Sequence, residues 1–456
     1  MKSRFIVLFV LVTLCACSKE GPAGPTGISE LPDPTPEVPE VELTDGELLD
    51  LVQKGTFSYF WDFADVDSGA ARERYHPSDP QHGAHIVATG GTGFGLMGIL
   101  VGIERNFISR SAAVDRLQQI LDFLGNADRF HGAWPHWLNG QTGKVVPFSA
   151  LDNGGDLVET AFLAQGLVCI EEYFKEGTEV ERALSAKAGE LWQGVEWDWY
   201  TQGGDMLYWH WSPDNGFAIN LPIKGYNETL IAYVMAAASP SNAIDGNVYE
   251  NGWASNGAII SEQQKYGFPI LVSHSGAPEY GGPLFWAHYS YLGLDPRNLI
   301  DSYADYWQVN KAHVNINYGY CVENPKGYKD YGPECWGLTA SYTRNADGGI
   351  GYAAHSPSND LGIISPTAAL ASMPYEPEKS MAALRFFYSR KELLLGPAGF
   401  YDAFSTQTDW VAEGYLAIDQ GPVLIMIENH RSGLLWNTFM RNEMVLNGLE
   451  RLGFAY

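Results

Sequence analysis

Four acidic segments of this chain carry residue types and spacings that could do chemistry. In Asp152-Asn153-Gly154-Gly155-Asp156-Leu157-Val158-Glu159 an apolar run, FLAQGLVCI, follows almost at once. Asp156 therefore reads as a helix N-cap, with Glu159 three positions on and on the same face. A capping box worth ~1 kcal/mol would explain those two acids but not Asp152. Gly225-Tyr226-Asn227-Glu228-Thr229 opens a second apolar helix, LIAYVMAAA. A first-turn Glu there is ordinarily a dipole partner, at ~0.3–1 kcal/mol. The third segment is Gly399-Phe400-Tyr401-Asp402-Ala403-Phe404, an acid between aromatics, and the fourth is Ile418-Asp419-Gln420-Gly421-Pro422. One such segment means little. Several carboxylates at the starts of inner helices would face one mouth. Paired carboxylates in an aromatic cleft are the equipment for cleaving a glycosidic bond, one protonating the leaving oxygen and the other activating water.

Other reagents are missing from the sequence. It has no GxSxG elbow, Walker loop, HExxH or paired CxxC. Gly90-Gly91-Thr92-Gly93-Phe94-Gly95 follows no strand signal in the sequence and reads as a tight helix entry beside the cleft. Histidines 85, 136, 274, 288 and 355 lie in polar or aromatic loops. His136, within Trp134-Pro135-His136-Trp137, is the best placed for sugar hydroxyls, and a buried, satisfied imidazole is the competing reading. At least one of Trp134 and Trp137 is expected to be a sugar platform, against the alternative of core packing. Cys169 reads as a small buried hydrophobe. Cys321 and Cys335 flank a loop and could pair in an oxidising compartment. No cofactor or metal is expected.

The elements that must position these groups are helical. Periodicity marks helices at 47–63, 92–107, 111–124, 156–174, 180–199, 228–238, 283–292, 299–314, 365–372, 377–394, 421–430 and 434–452. Strand signals are sparse. Many inner candidates are apolar almost all round, as helices buried on every side are. A dozen helices alternating between inner and outer positions suggests a single all-α domain, an (α/α)6 toroid at 44–456. A two-domain helical protein is the alternative.

Composition narrows the partners. Lys+Arg is 28 against Asp+Glu 54, a net charge of −26, which repels phosphate backbones and excludes nucleic acid. Aromatics at 13%, with 14 Trp and 25 Tyr, suit stacking on pyranose faces. At the N-terminus, Lys2 and Arg4 precede a short apolar run, Phe5–Leu14, and Leu14-Cys15-Ala16-Cys17 resembles a bacterial lipobox. The expectation is a signal peptide at 1–16, a lipidated Cys17 and a Pro/Gly/Glu-rich tether to residue 43. The protein would then be an outer-membrane lipoprotein, facing the periplasm or the cell surface.

The segments GAWPHW, DNGGDLVETAFLAQGL, GYNETL, WGLTAS, AHSPSNDLGIISPTAALASMPYEPE, GFYDAF and AIDQGPVLIMIENHRSGLLW resemble the glycoamylase-like family, which includes glycoside hydrolase family 144. The resemblance spans roughly residues 45 to 456. It implies a single (α/α)6 barrel and anomer-inverting hydrolysis of β-1,2-glucan. It places Glu228 as general acid and Asp402 on the base side. It makes Asp152, Asp156 and Glu159 an acidic cluster at the substrate site, and neighbouring negative charge of that kind would raise the Glu228 pKa. Trp134, His136, Trp137, Tyr226, Asn227, Tyr401, Asp419 and Gln420 are the accompanying candidates for sugar binding. Two stretches depart from the pattern, Tyr342–Asp347 and His288-Tyr289-Ser290-Tyr291, and both could border the cleft. The expected partner is a neutral glucan handled by a monomer. A non-catalytic glycan-binding lipoprotein and an α-glucan-cleaving glucoamylase are the alternatives.

Overall fold

The computed structural model describes residues 43–277 and 279–456. The expected signal peptide, Cys17 and nearly all of the tether lie outside those residues. Leu43–Tyr456 forms one compact unit. In chain order its helices are α1 (Asp45–Trp61), α2 (Thr89–Glu104), α3 (Arg110–Asn126), α4 (Leu157–Phe174), α5 (Glu179–Gln193), α6 (Leu230–Ala238) and α7 (Gly246–Asn251). Then follow α8 (Tyr306–Glu323), α9 (Pro366–Leu370), α10 (Pro377–Ser389), α11 (Lys391–Leu394), α12 (Ala417–Arg431), α13 (Leu434–Phe439) and α14 (Glu443–Arg451).

The inner ring follows from which helices are apolar all round. Helix α2 buries every residue from Thr89 to Gly102, and α6 and α9 are buried along their whole length. Helix α2 packs on α4 and α12, α4 on α6, and α12 on α9. Two 3₁₀ turns, Leu284–Ala287 and Tyr289–Tyr291, stand between α6 and α9. Tyr375 Oη ties the first of them to the segment after α9, donating to the Ala287 carbonyl at 2.9 Å. The outer helices bury one stripe each. In α3 the stripe is Ala113, Leu117, Ile120, Leu121 and Leu124. Helix α14 packs on α6, so the C-terminal helix supplies an outer partner and closes the ring. The result is an (α/α)6 toroid.

Glycine sets the tightest crossing. A Cβ on Gly93 would lie 2.3 Å from the Phe162 carbonyl oxygen, and one on Gly166 would lie 2.3 Å from that of Gly93. Helices α2 and α4 thus touch backbone to backbone, which any side chain at those positions would prevent. The N-terminal ends of the inner elements open on one mouth, and the connecting loops fold into small antiparallel sheets. The two longest pairs are Ile260–Lys265 with Phe268–Val272, and Ala340–Arg344 with Ile350–Ala354.

Several expected boundaries move. The helix expected at 299–314 begins only at Tyr306, because Asp305 caps it, its Oδ1 accepting the Gln308 N–H at 3.2 Å. The run 283–292 forms 3₁₀ turns. The glycine-rich run 90–95, expected to follow no strand, comes just after a three-residue strand, Ile86–Ala88. The run 180–199 stops at Gln193, ahead of Gly194, and 434–452 divides into α13 and α14 where Asn442 caps the second. Cys321 and Cys335 are buried free thiols, so the pairing considered for them is not formed.

Candidate active site

The mouth holds a cavity of about 440 Å³. Its acids are Glu73, Glu159 and Glu228, and its rings include Trp137, Phe148, Trp209, Phe285, Tyr289 and Tyr352. Each acid comes from the start of an element or a short strand, as backbone there leaves the helix and side chains can converge.

Glu228 precedes α6 by two residues, in its entry loop, rather than sitting in the first turn as expected. Asn227 shapes that entry, its Oδ1 accepting both the N–H and the hydroxyl of Thr229. Ser290 Oγ donates to the Glu228 carbonyl at 2.5 Å and so pins the loop to the Tyr289–Tyr291 turn. Burial pushes the Glu228 carboxyl up to about 7, opposed by its own backbone N–H. The charges of Glu159 and Asp156 add to the rise. The acidic cluster therefore acts in the expected direction, but desolvation is the larger cause.

The cluster itself is an alternation of acids and imidazoles. Asp156 caps α4, its Oδ1 accepting the N–H groups of Val158 and Glu159 at 3.0 and 2.9 Å. Its Oδ2 faces His136 Nδ1 at 2.9 Å and His210 Nε2 at 3.5 Å. His210 also lies 3.3 Å from Asp152, which gives that third acid its partner. Glu159 Oε2 accepts the Gly90 N–H at 2.7 Å. A Cβ on Gly90 would fall 2.7 Å from that oxygen, so this glycine admits the carboxylate. Burial opposes a charge on His136, yet Glu159 and Asp156 outweigh it and lift the imidazole to about 9. Burial pushes Glu159 up to about 7, while Asp156 is held low by its two histidines against the effect of burial. His136, Asp152 and Asp156 place ligand atoms within 4.8 Å of one another, close enough for a cation. Against the effect of burial, Asp156 and Asp152 also raise the His210 imidazole, so both imidazoles favour the charged form among these acids.

Asp402 does not line this cavity. It is 1% exposed and lines a separate recess of about 10 Å³, room for roughly one water, together with Tyr401 and Gln420. Its Oδ2 accepts the Tyr342 N–H at 2.6 Å. Asp419 lies beside it, and each of the two carboxyls acts on the other's ionisation. Burial raises Asp402 to about 6 and lifts Asp419 far higher, helped by the charge of Asp402. Asp419 in turn accepts from Tyr289 Oη at 3.2 Å, and Tyr289 does line the cavity.

Of the other sugar-binding candidates, His136 and Trp137 line the cavity. Trp134 is fully buried, its Nε1 donating to the Leu124 carbonyl at 3.1 Å, and its ring is core. Tyr226 is also core, its hydroxyl donating to Asn310 Oδ1 at 2.6 Å. Asn227 is a capping residue, and Gln420 donates to the Phe400 carbonyl at 3.3 Å. Tyr401 packs on Tyr415 beside the small recess. The sequence reading missed Glu73, Arg74, Trp209, His210, Phe148 and Tyr352. Glu73 and Arg74 pair with each other at the cavity wall, with Nη2 to Oε1 at 2.9 Å. Their signal was two adjacent opposite charges outside any helix. That of Trp209 and His210 was an aromatic-histidine run, Tyr208-Trp209-His210-Trp211, in a loop.

This placement separates the two tryptophans in an experiment. Trp137→Ala should raise KM for an oligosaccharide at least several-fold while the melting temperature moves little. Trp134→Ala should cost ~3–5 kcal/mol of stability, as a buried ring does, with near-normal kinetics in the folded fraction. Urea unfolding and initial rates on the two variants check this.

Residues 220–443 match the family model described as "Putative glucoamylase". An exo β-1,2-glucooligosaccharide sophorohydrolase (non-reducing end) of Parabacteroides distasonis is 43% identical over 433 residues. That match covers 90% of this chain and 58% of the relative, so the chain spans little more than half the relative's length. The structure of an endo-β-1,2-glucanase from Chitinophaga pinensis, in complex with sophorotriose and glucose, superimposes with a TM-score of 0.89. It is 54% identical and the match covers 91% of this chain and 99% of that one. A Bacteroides caccae structure, described in the same words as the family model, gives 0.87 at 50% identity, over 90% of this chain and all of the other.

Proposed function

Because this chain belongs to the glycoamylase-like family, we propose that it is a glycoside hydrolase that cleaves β-1,2-glucan with inversion at the anomeric carbon. The observation that carries the chemistry is Glu228. It is a carboxyl in an aromatic cavity, held by burial at a pKa of about 7, and so keeps its proton near neutrality. Glu228 donates that proton to the oxygen of the leaving sugar. The electron pair of the breaking C–O bond goes to that oxygen, and water attacks the opposite face of the ring. The water's proton ends on the carboxyl pair of Asp402 and Asp419. His136 and Arg74 supply N–H donors to sugar hydroxyls, and Trp137 and Trp209 supply flat faces for the rings.

Linear β-1,2-glucan, linear β-1,3-glucan and soluble starch, each incubated with the full chain and assayed for reducing ends, test this reading. Release from the β-1,2-glucan alone supports it. Release from starch with none from β-1,2-glucan would reverse it in favour of an α-glucan hydrolase, and no release from any would favour a glycan-binding role.

The lipobox supports a second part of the proposal, an outer-membrane lipoprotein tethered through Cys17 and acting as a monomer on a neutral glucan. Cys17→Ser should move the protein from the membrane fraction to the soluble one on ultracentrifugation. A variant that still sediments with outer membrane would contradict the anchor.

A further inference from the structure

The proposed chemistry leaves a gap in space: the deprotonating carboxyl does not line the cavity in which water must attack. Asp402 is 1% exposed and committed to the Tyr342 N–H and to Asp419. Asp419 is equally buried. Asp402 Oδ1 and Asp419 Oδ2 are buried with no hydrogen-bond partner among the described residues, which leaves both oxygens open to a proton that the two carboxyls could share. The pair is held from its backbone. Ser365 Oγ donates to the Asp402 carbonyl at 2.8 Å, and Thr367 Oγ1 donates to that of Asp419 at 2.6 Å.

Among the described residues, Tyr289 joins the cavity to this pair by a hydrogen bond. Tyr289 lines the cavity, and its hydroxyl donates to Asp419 Oδ1 at 3.2 Å. Its ring cannot swing away. It packs edge-on to Phe94 and Phe162, with centroids at 5.5 and 5.6 Å, and tilted on Phe285 at 4.8 Å. The next residue, Ser290, is the one that pins the Glu228 carbonyl. A single turn therefore fixes the proton donor and this hydroxyl relative to each other.

We propose that Tyr289 is the proton conduit of the hydrolytic step, passing the proton of the attacking water to the buried Asp419–Asp402 pair. This rests on the hydrolase reading above and deepens it. A lone pair of the water oxygen forms the new bond to the anomeric carbon as the bond to the leaving oxygen breaks. One water proton moves to Tyr289 Oη, the Tyr289 proton moves to Asp419 Oδ1, and the proton Asp419 shared moves onto Asp402. Glu228 has then lost one proton and the pair has gained one. Exchange with solvent after product leaves restores both, and no other reagent is consumed.

The test uses azide, an anionic nucleophile that needs no deprotonation. Full-length Tyr289→Phe, which keeps the packed ring, is assayed on linear β-1,2-glucan with and without sodium azide, beside Asp419→Asn and Glu228→Gln. Tyr289→Phe is expected to lose ~10² in kcat, the lower range for general acid–base loss, with KM within about twofold. Azide should restore turnover in Tyr289→Phe and Asp419→Asn and yield an α-glycosyl azide. Glu228→Gln should gain nothing from azide, since its missing proton belongs to the leaving group. Turnover of Tyr289→Phe near that of the unmodified chain overturns the conduit. A loss that azide does not recover overturns it too, because that marks a merely structural hydroxyl. So does a Tyr352→Phe variant that shows the loss and the rescue in place of Tyr289→Phe. Failure of the unmodified chain to cleave the glucan would instead sink the hydrolase reading, and it is seen before any variant is made.

Discussion

Glu228→Gln should lower kcat on β-1,2-glucan by at least ~10², with KM changed little and the fold intact. The amide keeps the shape of the carboxyl but cannot give up a proton to the leaving sugar. The same variant should be more stable than the parent at high pH. Glu228 has a folded pKa of about 7, above the ordinary carboxyl value near 4.3, so the folded protein holds a proton that the unfolded chain has released. Stability contributed by that proton is present below the unfolded pKa and is lost as pH rises through about 7. Above pH 7 the parent buries a charge and the Gln variant does not, so the variant gains roughly 3–4 kcal/mol there and nothing at pH 4. Denaturant melts at the two pH values measure this. A variant with near-normal turnover, or one destabilised at pH 8, would remove Glu228 from its role.

Asp402→Asn should also cost at least ~10² in kcat while sparing KM, because this side chain lies away from the sugar. The amide can no longer take up a proton, although it can still accept from Tyr342. The two carboxyls predict the pH profile. Turnover needs Asp402 ionised, so it rises through about 6, where burial has set that carboxyl. It needs Glu228 protonated, so it falls through about 7. The bell should be narrow, and Asp402→Asn should lose its rising limb. A variant that raises KM alone would place Asp402 in binding rather than in proton uptake.

Much of this arrangement was legible in the sequence because inner helices of a toroid are apolar all round and their starts share one mouth. The runs after Asp156, Glu228 and Asp419 therefore named both the helices and the acids placed at their entries. The order of those motifs also carried the likeness to the family. What stayed hidden depends on loops, whose conformations carry no periodicity. Glu73, Arg74 and Trp209 come from two-residue strands or the turns beside them, too short for an alternating pattern. Tyr352 comes from a hairpin whose partner, Tyr342–Arg344, falls within a stretch that looked unfamiliar. The Trp134-Pro135-His136-Trp137 segment shows the limit within one motif. Its aromatics are alike in sequence, and only the strand at Trp137–Asn139 decides that Trp134 turns into the core and Trp137 to the cavity. Asp402 and Asp419, about 17 residues apart in the chain, act on each other's ionisation, a pairing that only the folded loops create.

The direct test of the account is the configuration of the first product. Linear β-1,2-glucan is mixed with a large amount of the full chain in an NMR tube, and the anomeric protons are followed before mutarotation sets in. An acid on one face and activated water on the other require the new reducing end to appear first as the α-anomer and drift toward equilibrium afterwards. A β-anomer appearing first would mean retention, a carboxylate nucleophile in place of water, and a different division of labour among Glu73, Glu159, Glu228 and the Asp402–Asp419 pair.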